Sequence, residues 1–219
     1  MGSIADLKTA VCEANLDLVR QGLVIFTWGN ASGIDRGEGL VAIKPSGVDY
    51  RSMAPEHMAV VRLADGQRIE GEWNPSSDTP THLALYRAFE GIGGIAHTHS
   101  PAATAWAQAC GAVPCAERMT AEEIFGEYEA ATGEAIVRRF RAGGIDPRQV
   151  PAVLVASHGP FAWGETAAHS VVNAKVLEEC CRMALDTLAL CPEQKPIAQA
   201  LLDKHFLRKH GPGAYYGQR

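Results

Sequence analysis

The spacing of apolar residues changes along the chain, and each spacing predicts a different kind of element. Residues 4–19 repeat apolar positions at helical intervals on one stripe, which predicts an amphipathic helix. Residues 23–27 and 40–43 are instead continuous apolar, β-branched runs, which predict strands. Gly29-Asn30 and residues 35–39 interrupt these runs, so a helix followed by strands and turns is expected.

A hairpin is predicted in the next stretch. Residues 58–63 and 68–69 flank Asp65-Gly66, a dipeptide typical of the tight turn between antiparallel strands. Parallel neighbours would need a long crossover connection, so strands joined by turns this short indicate an antiparallel sheet.

The second half of the chain alternates longer helical patterns with short apolar runs. Thr120 and Glu123 stand in capping-box register at the start of one helix. Helices are predicted over residues 79–89, 101–109, 120–141, 165–190 and 197–210, and extended segments over residues 92–99 and 150–156. Because no repeat or linker is evident, we expect one α/β domain with helices on both faces of a largely antiparallel sheet.

Composition and charge narrow the class of protein. The 219 residues are 47% hydrophobic and 21% charged, which is typical of a globular chain that can bury a core. The net charge of −5 disfavours nucleic acid and anionic membranes as partners, and no apolar run approaches the roughly 18 residues of a membrane span. No secretory signal pattern is evident. Scattered cysteines are expected to be reduced thiols in a cytoplasmic protein: Cys12, Cys110, Cys115, Cys180, Cys181 and Cys191.

Three histidines form the sharpest local signal. His97 and His99 are separated by one residue, so on a strand both side chains would project from the same face. His158 follows the apolar run 150–156 and precedes a glycine. Three imidazoles with one open position are a common catalytic zinc arrangement. The alternative is three unrelated histidines, and the sequence pattern supports the two interpretations about equally.

Asp78 lies in the motif PSSDTP, directly before a predicted helix. The simplest interpretation is that it caps the helix, because aspartate and serine are normal residues at that position. The functional interpretation is that Ser76 and Ser77 offer hydroxyl and amide donors to an anion at the helix start. Asp78 would then be free to approach a metal.

Two further clusters resemble anion cradles. Gly29-Asn30 follows one predicted strand, and Lys44, Ser46 and Gly47 follow another. Glycine allows backbone amides to approach a phosphate closely, and lysine adds positive charge. Such motifs also mark ordinary turns, so each alone is a weak signal. The basic, aromatic tail over residues 204–216 is either a solvated helix end or a segment that brings a phenol to an active site.

Taken together, these motifs resemble the L-ribulose-5-phosphate 4-epimerase family, within the class II aldolase superfamily. The resemblance covers nearly the whole chain, and motifs of this length in this order are specific. It rests on residues 27–30 (TWGN), 43–50 (IKPSGVDY), 75–82 (PSSDTPTH), 93–100 (GGIAHTHS), 157–164 (SHGPFAWG), 202–210 and 215–218.

The resemblance implies a three-layer α/β/α sandwich around a mainly antiparallel sheet, the class II aldolase fold, in one domain over residues 1–219. It implies a homotetramer in which the tail, about residues 203–219, reaches a neighbouring subunit. Tyr216 matches the family's catalytic tail tyrosine, and His205 is a weaker candidate for the same inter-subunit site.

The resemblance also implies the site residues. His97, His99 and His158 would be zinc ligands, although Mn²⁺ or Co²⁺ can occupy such sites, and Asp78 would be a fourth ligand or a nearby base. The residues implied to bind substrate and phosphate are Gly29, Asn30, Lys44, Ser46, Gly47, Ser76 and Ser77.

The activity implied is inversion of L-ribulose 5-phosphate, or a close pentulose phosphate, at C4 by retro-aldol cleavage and re-addition. A sugar-phosphate aldolase that releases the aldehyde is one alternative. A non-enzymatic interaction domain related to the adducin head is another, although such domains should lack the three histidines.

One departure from the family concerns a loop. The family carries a Thr-His-Ala-Asp motif between the helix at residues 101–109 and Pro114-Cys115, and its aspartate is a second acid/base. In this chain Cys110-Gly111 connects the two segments directly. Either the protein has a mobile loop that this sequence omits, or the chain lacks the segment. In the second case metal binding should survive, but epimerase activity would be in doubt. A Cα–Cα distance of ~3.8 Å between Cys110 and Gly111 would indicate a true junction.

Overall fold

A computed structural model describes residues 3–109, 114–196 and 198–207, apart from the side chains of Gln108, Ala109 and His205. The strands are β1 (Asn30–Asp35), β2 (Leu40–Ile43), β3 (Ala59–Arg62), β4 (Arg68–Glu70), β5 (Gly94–His97), β6 (Cys115–Ala116), β7 (Ala152–Val155) and β8 (Gly159–Gly164). The helices are α1 (Ile4–Arg20), α2 (Thr79–Ala88), α3 (Pro101–Ala109), α4 (Ala121–Phe125), α5 (Tyr128–Gly143), α6 (Ala167–Leu190) and α7 (Gln199–Leu207).

The strands form one sheet in the order β4-β3-β2-β1-β5-β8-β7-β6. Every neighbouring pair is antiparallel except β6 and β7, which run parallel. The predicted hairpin is β3–β4, with a bulge between Val60 and Val61 and a left-handed Gly66 in its turn. The predicted mainly antiparallel sheet is therefore confirmed.

The two faces of the sheet carry side chains of different size. Small alanines, including Ala42 and Ala96, face α1 and α6, while larger residues such as Ile95, Phe161 and Trp163 face α2 and α5. Alternate strand residues point to opposite faces, so each strand contributes to both cores. Helices cover both faces, which confirms the three-layer α/β/α arrangement.

The described residues fall into two compact units. The first, Met1–Met183, holds the sheet and the helices through most of α6, and the second, Ala184–Arg219, holds the end of α6 and α7. Residues 208–219 lie outside the described part, so the single domain with an inter-subunit tail stays a prediction. Within the residues the structure describes, no helix has the length and apolar character needed to cross a membrane.

The strand predicted at residues 23–27 is wrong. This segment is a loop in which Leu23 and Val24 are buried, whereas Phe26 is exposed and has a left-handed φ of 54°. The strand lies instead at Asn30–Asp35, whose small residues do not stand out in a hydrophobic pattern. Their size is required by packing, because a Cβ added at Gly33 would lie 2.9 Å from a methyl carbon of Val11 in α1.

The single helix predicted over residues 120–141 is also wrong. It is broken at Gly126 into α4 and α5, although the capping box of Thr120 and Glu123 is present as expected. Strand β8 was not predicted, because the glycines and proline of GPFAWG resemble a turn. The helices predicted at residues 4–19, 79–89 and 101–109 match α1, α2 and α3 closely.

Candidate metal centre

His97 and His99 meet at the end of strand β5. His97 is the last residue of the strand, where it pairs with Asn30 of β1 and Phe161 of β8. His99 lies two residues beyond the strand end, so it reaches its partner from the following loop and not from the strand itself. The two Nε2 atoms are nevertheless 3.2 Å apart, which brings both imidazoles to one point as the sequence predicted.

His158 completes the cluster from the turn between β7 and β8. Ser157, directly before it, has a left-handed φ of 61°, a costly conformation for serine that turns the chain sharply at this point. The ring centroid of His158 lies 4.9 Å from that of His97 and 5.3 Å from that of His99. One ligand atom from each histidine lies within 4.8 Å of the others, so the three side chains can hold a metal ion.

The protonation state of the histidines favours metal binding. Burial lowers the pKa of His97, with a further lowering from nearby His99. Burial and the two neighbouring imidazoles lower the pKa of His158 to about 4. The rings of His97 and His158 are therefore neutral at physiological pH, which is the form that binds a divalent cation. Nδ1 of His97 is engaged by the carbonyl oxygen of Pro160 at 2.9 Å, leaving Nε2 for the metal.

Asp78 precedes α2, but its side chain makes no capping hydrogen bond to the helix. Its Oδ2 instead accepts a hydrogen bond from Asn30 Nδ2 at 2.6 Å, and the Ser76 hydroxyl lies 3.4 Å away. Burial raises the pKa of Asp78, but attraction to His97 and His82 and the Asn30 bond together lower it. The capping alternative is therefore wrong for this side chain. Its carboxylate is not in the 4.8 Å group, and its role as a ligand or base stays a prediction.

Two loops lie side by side and line the same cavity as the histidines. Pro45 and Pro75 form an isolated antiparallel bridge, flanked by hydrogen bonds from Ser46 N to Asn74 O and from Ser76 N to Lys44 O. These two amides hold the loops together, so they are not the amides that would bind an anion. The serine hydroxyls and Gly47, with a left-handed φ of 68°, line the resulting surface.

Lys44 is buried at the base of these loops. Its Nζ donates to the carbonyl oxygens of Thr27 and Pro45, both at 3.3 Å, and lies 4.8 Å from the ring centroid of Tyr50. Burial lowers the pKa of Lys44 to about 8, partly offset by Asp49. The side chain is thus mostly cationic at neutral pH and places positive charge beside the cavity.

Eleven of the predicted site residues line one cavity of about 580 Å³. They are Gly29, Asn30, Lys44, Ser46, Gly47, Ser76, Ser77, Asp78, His97, His99 and His158. Tyr216 lies outside the described residues, and His205 is in α7 with a side chain that is not described. Their catalytic roles stay predictions.

The sequence analysis missed Tyr128 and Glu129, which also line the cavity. They begin helix α5, directly after the break at Gly126. The signal was present, because a glycine follows a short capped helix and is succeeded by Glu-Tyr-Glu. Treating residues 120–141 as one continuous helix concealed it.

The family's additional loop is absent from this chain. In the full 219-residue sequence Gly111 directly follows Cys110, so the explanation of an omitted loop is wrong. The test distance between Cys110 and Gly111 lies outside the described residues. The aspartate that the family carries there therefore has no counterpart in this segment.

Known proteins resemble the chain over most of its length. The family described as Class II Aldolase and Adducin N-terminal domain matches residues 9–185. L-ribulose-5-phosphate 4-epimerase UlaF of Salmonella paratyphi B is 49% identical over 228 aligned positions, covering 97% of this chain and 99% of that protein. The protein of the same name from Salmonella typhi matches with the same identity and coverage.

Solved structures agree with this assignment. A structure of L-fuculose 1-phosphate aldolase superposes with a TM-score of 0.76 and 26% identity, covering 95% of this chain and 97% of that chain. L-fuculose 1-phosphate aldolase from Glaciozyma antarctica PI12, at 18% identity and a TM-score of 0.73, covers 98% of this chain and 87% of that chain and shares the fold. With the histidine cluster at the end of its central strands, this chain belongs to the class II aldolase family, in its L-ribulose-5-phosphate 4-epimerase branch.

Proposed function

We propose that this protein is a metal-dependent epimerase that inverts L-ribulose 5-phosphate, or a close pentulose phosphate, at C4 to give D-xylulose 5-phosphate. The observation that carries the proposal is the convergence of His97, His99 and His158 in a cavity that serine, glycine and lysine residues also line. The relatives named L-ribulose-5-phosphate 4-epimerase support the choice of substrate.

The position of C4 explains why such a reaction must break a carbon–carbon bond. In a 2-ketose, C4 is not adjacent to the carbonyl, so its hydrogen is not acidic enough to be removed directly. Breaking the C3–C4 bond gives a dihydroxyacetone enediolate and glycolaldehyde phosphate, while a base takes the C4 hydroxyl proton. The aldehyde rotates, the bond re-forms on its other face, and the proton returns to the oxygen.

The residues of the cavity divide this work. A divalent cation on the histidines, zinc in our proposal, would supply the positive charge that stabilises the enediolate. The hydroxyls of Ser46, Ser76 and Ser77 would bind the phosphate, with Lys44 adding charge. Gly29 and Gly47 would let the backbone approach it closely. Holding both fragments in one cavity would keep the aldehyde from escaping before re-addition.

Proton transfer at the C4 oxygen is assigned to Tyr216, supplied by a neighbouring subunit. The proposal therefore includes a homotetramer in the cytoplasm, in which the tail of one chain completes the cavity of another. The missing loop removes the second acid/base of the family, so Tyr216 would have to serve both directions of transfer or share the task with another group in the cavity.

The absent loop also favours a second candidate function, a sugar-phosphate aldolase that releases the aldehyde. Without the additional acid/base, re-addition to the opposite face would be slower, and cleavage would compete with it. The interaction-domain alternative is disfavoured, because the named relatives are enzymes and all three histidines are present.

A combined assay separates these functions. Purified protein is analysed for metal and incubated with L-ribulose 5-phosphate, while a dehydrogenase that reduces free aldehyde is present in one arm. Conversion to D-xylulose 5-phosphate with little trapped aldehyde supports the epimerase. Stoichiometric, sustained aldehyde release would establish the aldolase, and protein without metal and without either activity would reject both. Tyr216→Phe should retain metal but slow turnover.

A further inference from the structure

Tyr128 contacts His158, one of the three candidate metal-binding histidines. Its hydroxyl oxygen lies 3.2 Å from Nδ1 of His158, and the two ring centroids are 5.8 Å apart. The same nitrogen of His97 is engaged by the carbonyl oxygen of Pro160. Two of the three histidines thus have Nδ1 occupied, one by backbone and one by a phenol.

The break between α4 and α5 places Tyr128 at this point. The Tyr128 amide donates to the carbonyl oxygen of Gly126, and the Thr132 hydroxyl donates to the Tyr128 carbonyl oxygen at 2.9 Å. A continuous helix through residue 126 would carry Tyr128 on a different path. Gly126 therefore ends α4, and a new helix, α5, begins next to His158.

Close packing of α5 against α2 holds this helix start in place. A Cβ added at Gly133 would lie 2.7 Å from the Cβ of Ala84, so only glycine allows the two helices to approach this closely. The Thr81 hydroxyl also donates to the carbonyl oxygen of Glu129, one residue beyond the tyrosine. Tyr128 is therefore anchored to the helix that begins beside Asp78.

The chemistry of a histidine ligand explains what the contact between Tyr128 and His158 can do. A neutral imidazole that binds a cation through Nε2 must carry its proton on Nδ1, and an acceptor at Nδ1 fixes both the tautomer and the rotation of the ring. The phenol oxygen of Tyr128 is in position to be that acceptor. The hydroxyl hydrogen of Tyr128 is then free to point elsewhere, and Tyr128 lines the cavity.

We propose that Tyr128 is a positioning residue of the metal centre, which accepts a hydrogen bond from Nδ1 of His158 and aims Nε2 of that ring at the metal. This inference rests on the proposed metal-dependent function. It differs from a purely structural role, because it acts through a single ring nitrogen. Loss of the phenol oxygen should change the metal site while the helix packing persists.

The test compares Tyr128→Phe with Thr132→Val, a control that removes a hydrogen bond from the same helix turn. Zinc affinity is measured by competition with a chromophoric chelator, and the visible spectrum of the cobalt-loaded protein reports ligand geometry. Tyr128→Phe should weaken zinc binding about 10- to 100-fold and shift the cobalt bands. Thr132→Val should leave both unchanged, and both metal-free variants should keep the wild-type far-UV spectrum.

A His158→Ala background sharpens the result. If Tyr128 acts through His158, adding Tyr128→Phe there should have no further effect on affinity. Unchanged affinity and spectrum in Tyr128→Phe, an equal loss in Thr132→Val, a loss that persists without His158, or unfolding of metal-free Tyr128→Phe would each overturn the inference. A wild-type protein that binds neither zinc nor cobalt would instead reject the proposed function itself.

Discussion

The two walls of the cavity are built by different means. On one wall, His97 ends strand β5 and His158 lies in the turn before β8, and an oxygen atom lies within hydrogen-bond distance of Nδ1 of each ring. On the other wall, the paired loops at residues 44–47 and 74–77 are fixed by backbone bonds, and left-handed Gly47 gives the turn its shape.

Gly29 holds a third loop, residues 21–29, against the wall that carries the histidines. A Cβ at this position would lie 2.9 Å from the carbonyl oxygen of His97, so the loop and the metal strand are in direct backbone contact. The wall made of histidine side chains should lose metal binding when one histidine is replaced. The wall made of backbone turns should lose phosphate binding when its turns are altered. Variants of each wall therefore test that difference.

Removing a metal ligand should have the largest effect. In His97→Asn one imidazole of three is lost, and metal content and kcat/KM should fall together by at least about 100-fold. The paired loops at residues 44–47 and 74–77 contain none of the three histidines, so inorganic phosphate should still bind. Metal analysis and phosphate binding by calorimetry check this, and undiminished metal content would contradict the assignment of His97.

A matched pair of glycine substitutions separates strain from steric contact. Gly29 and Gly47 have φ angles of 73° and 68°, but only Gly29 would clash, with Val24 at 2.7 Å and the His97 backbone at 2.9 Å. We expect Gly29→Ala to cost about 2–4 kcal/mol of unfolding free energy and to weaken metal binding. Gly47→Ala should cost about 1–2 kcal/mol and mainly raise KM.

Denaturant unfolding of the metal-free proteins measures both costs. Equal costs for the two glycine variants would mean that the close contact of Gly29 with the metal strand contributes nothing to the difference in stability.

Ser76→Ala should have a smaller and more selective effect. The hydroxyl lies 3.1 Å from Asn30 Nδ2 and 3.4 Å from Asp78 Oδ2, and in our proposal it also binds phosphate. We expect KM for the sugar phosphate to rise about tenfold, near 1.4 kcal/mol, because one hydrogen bond to a charged group is lost. Metal content should not change, and its loss would show that the walls are not separable.

A separate effect concerns pH and the stability of the metal-free protein. The pKa of His158 is lowered to about 4 and that of His82 to about 3, both primarily by burial. The unfolded chain takes up these protons near pH 6.5, before the folded chain does, so these two groups should lower the stability as the pH drops from about 6.5 toward 4. Melting temperatures between pH 7.5 and 5 measure the slope, which should be shallower in His158→Asn.

The sequence located the site better than it located the elements around it. The histidine spacing and the serine, glycine and lysine motifs predicted eleven cavity residues that the fold brings together. The strand at residues 30–35 escaped prediction, because α1 packs so closely on it that Gly33 cannot carry a side chain. Small residues chosen for helix contact leave no alternating hydrophobic signal.

By itself, then, the sequence determined the chemistry: which side chains can hold a metal, which can meet a phosphate, and which family carries them in this order. Only the tertiary structure decided how those groups are aimed. The contact of Tyr128 with His158 joins residues that are 30 positions apart in the chain. Local propensity cannot encode such contacts, because packing between distant segments sets them.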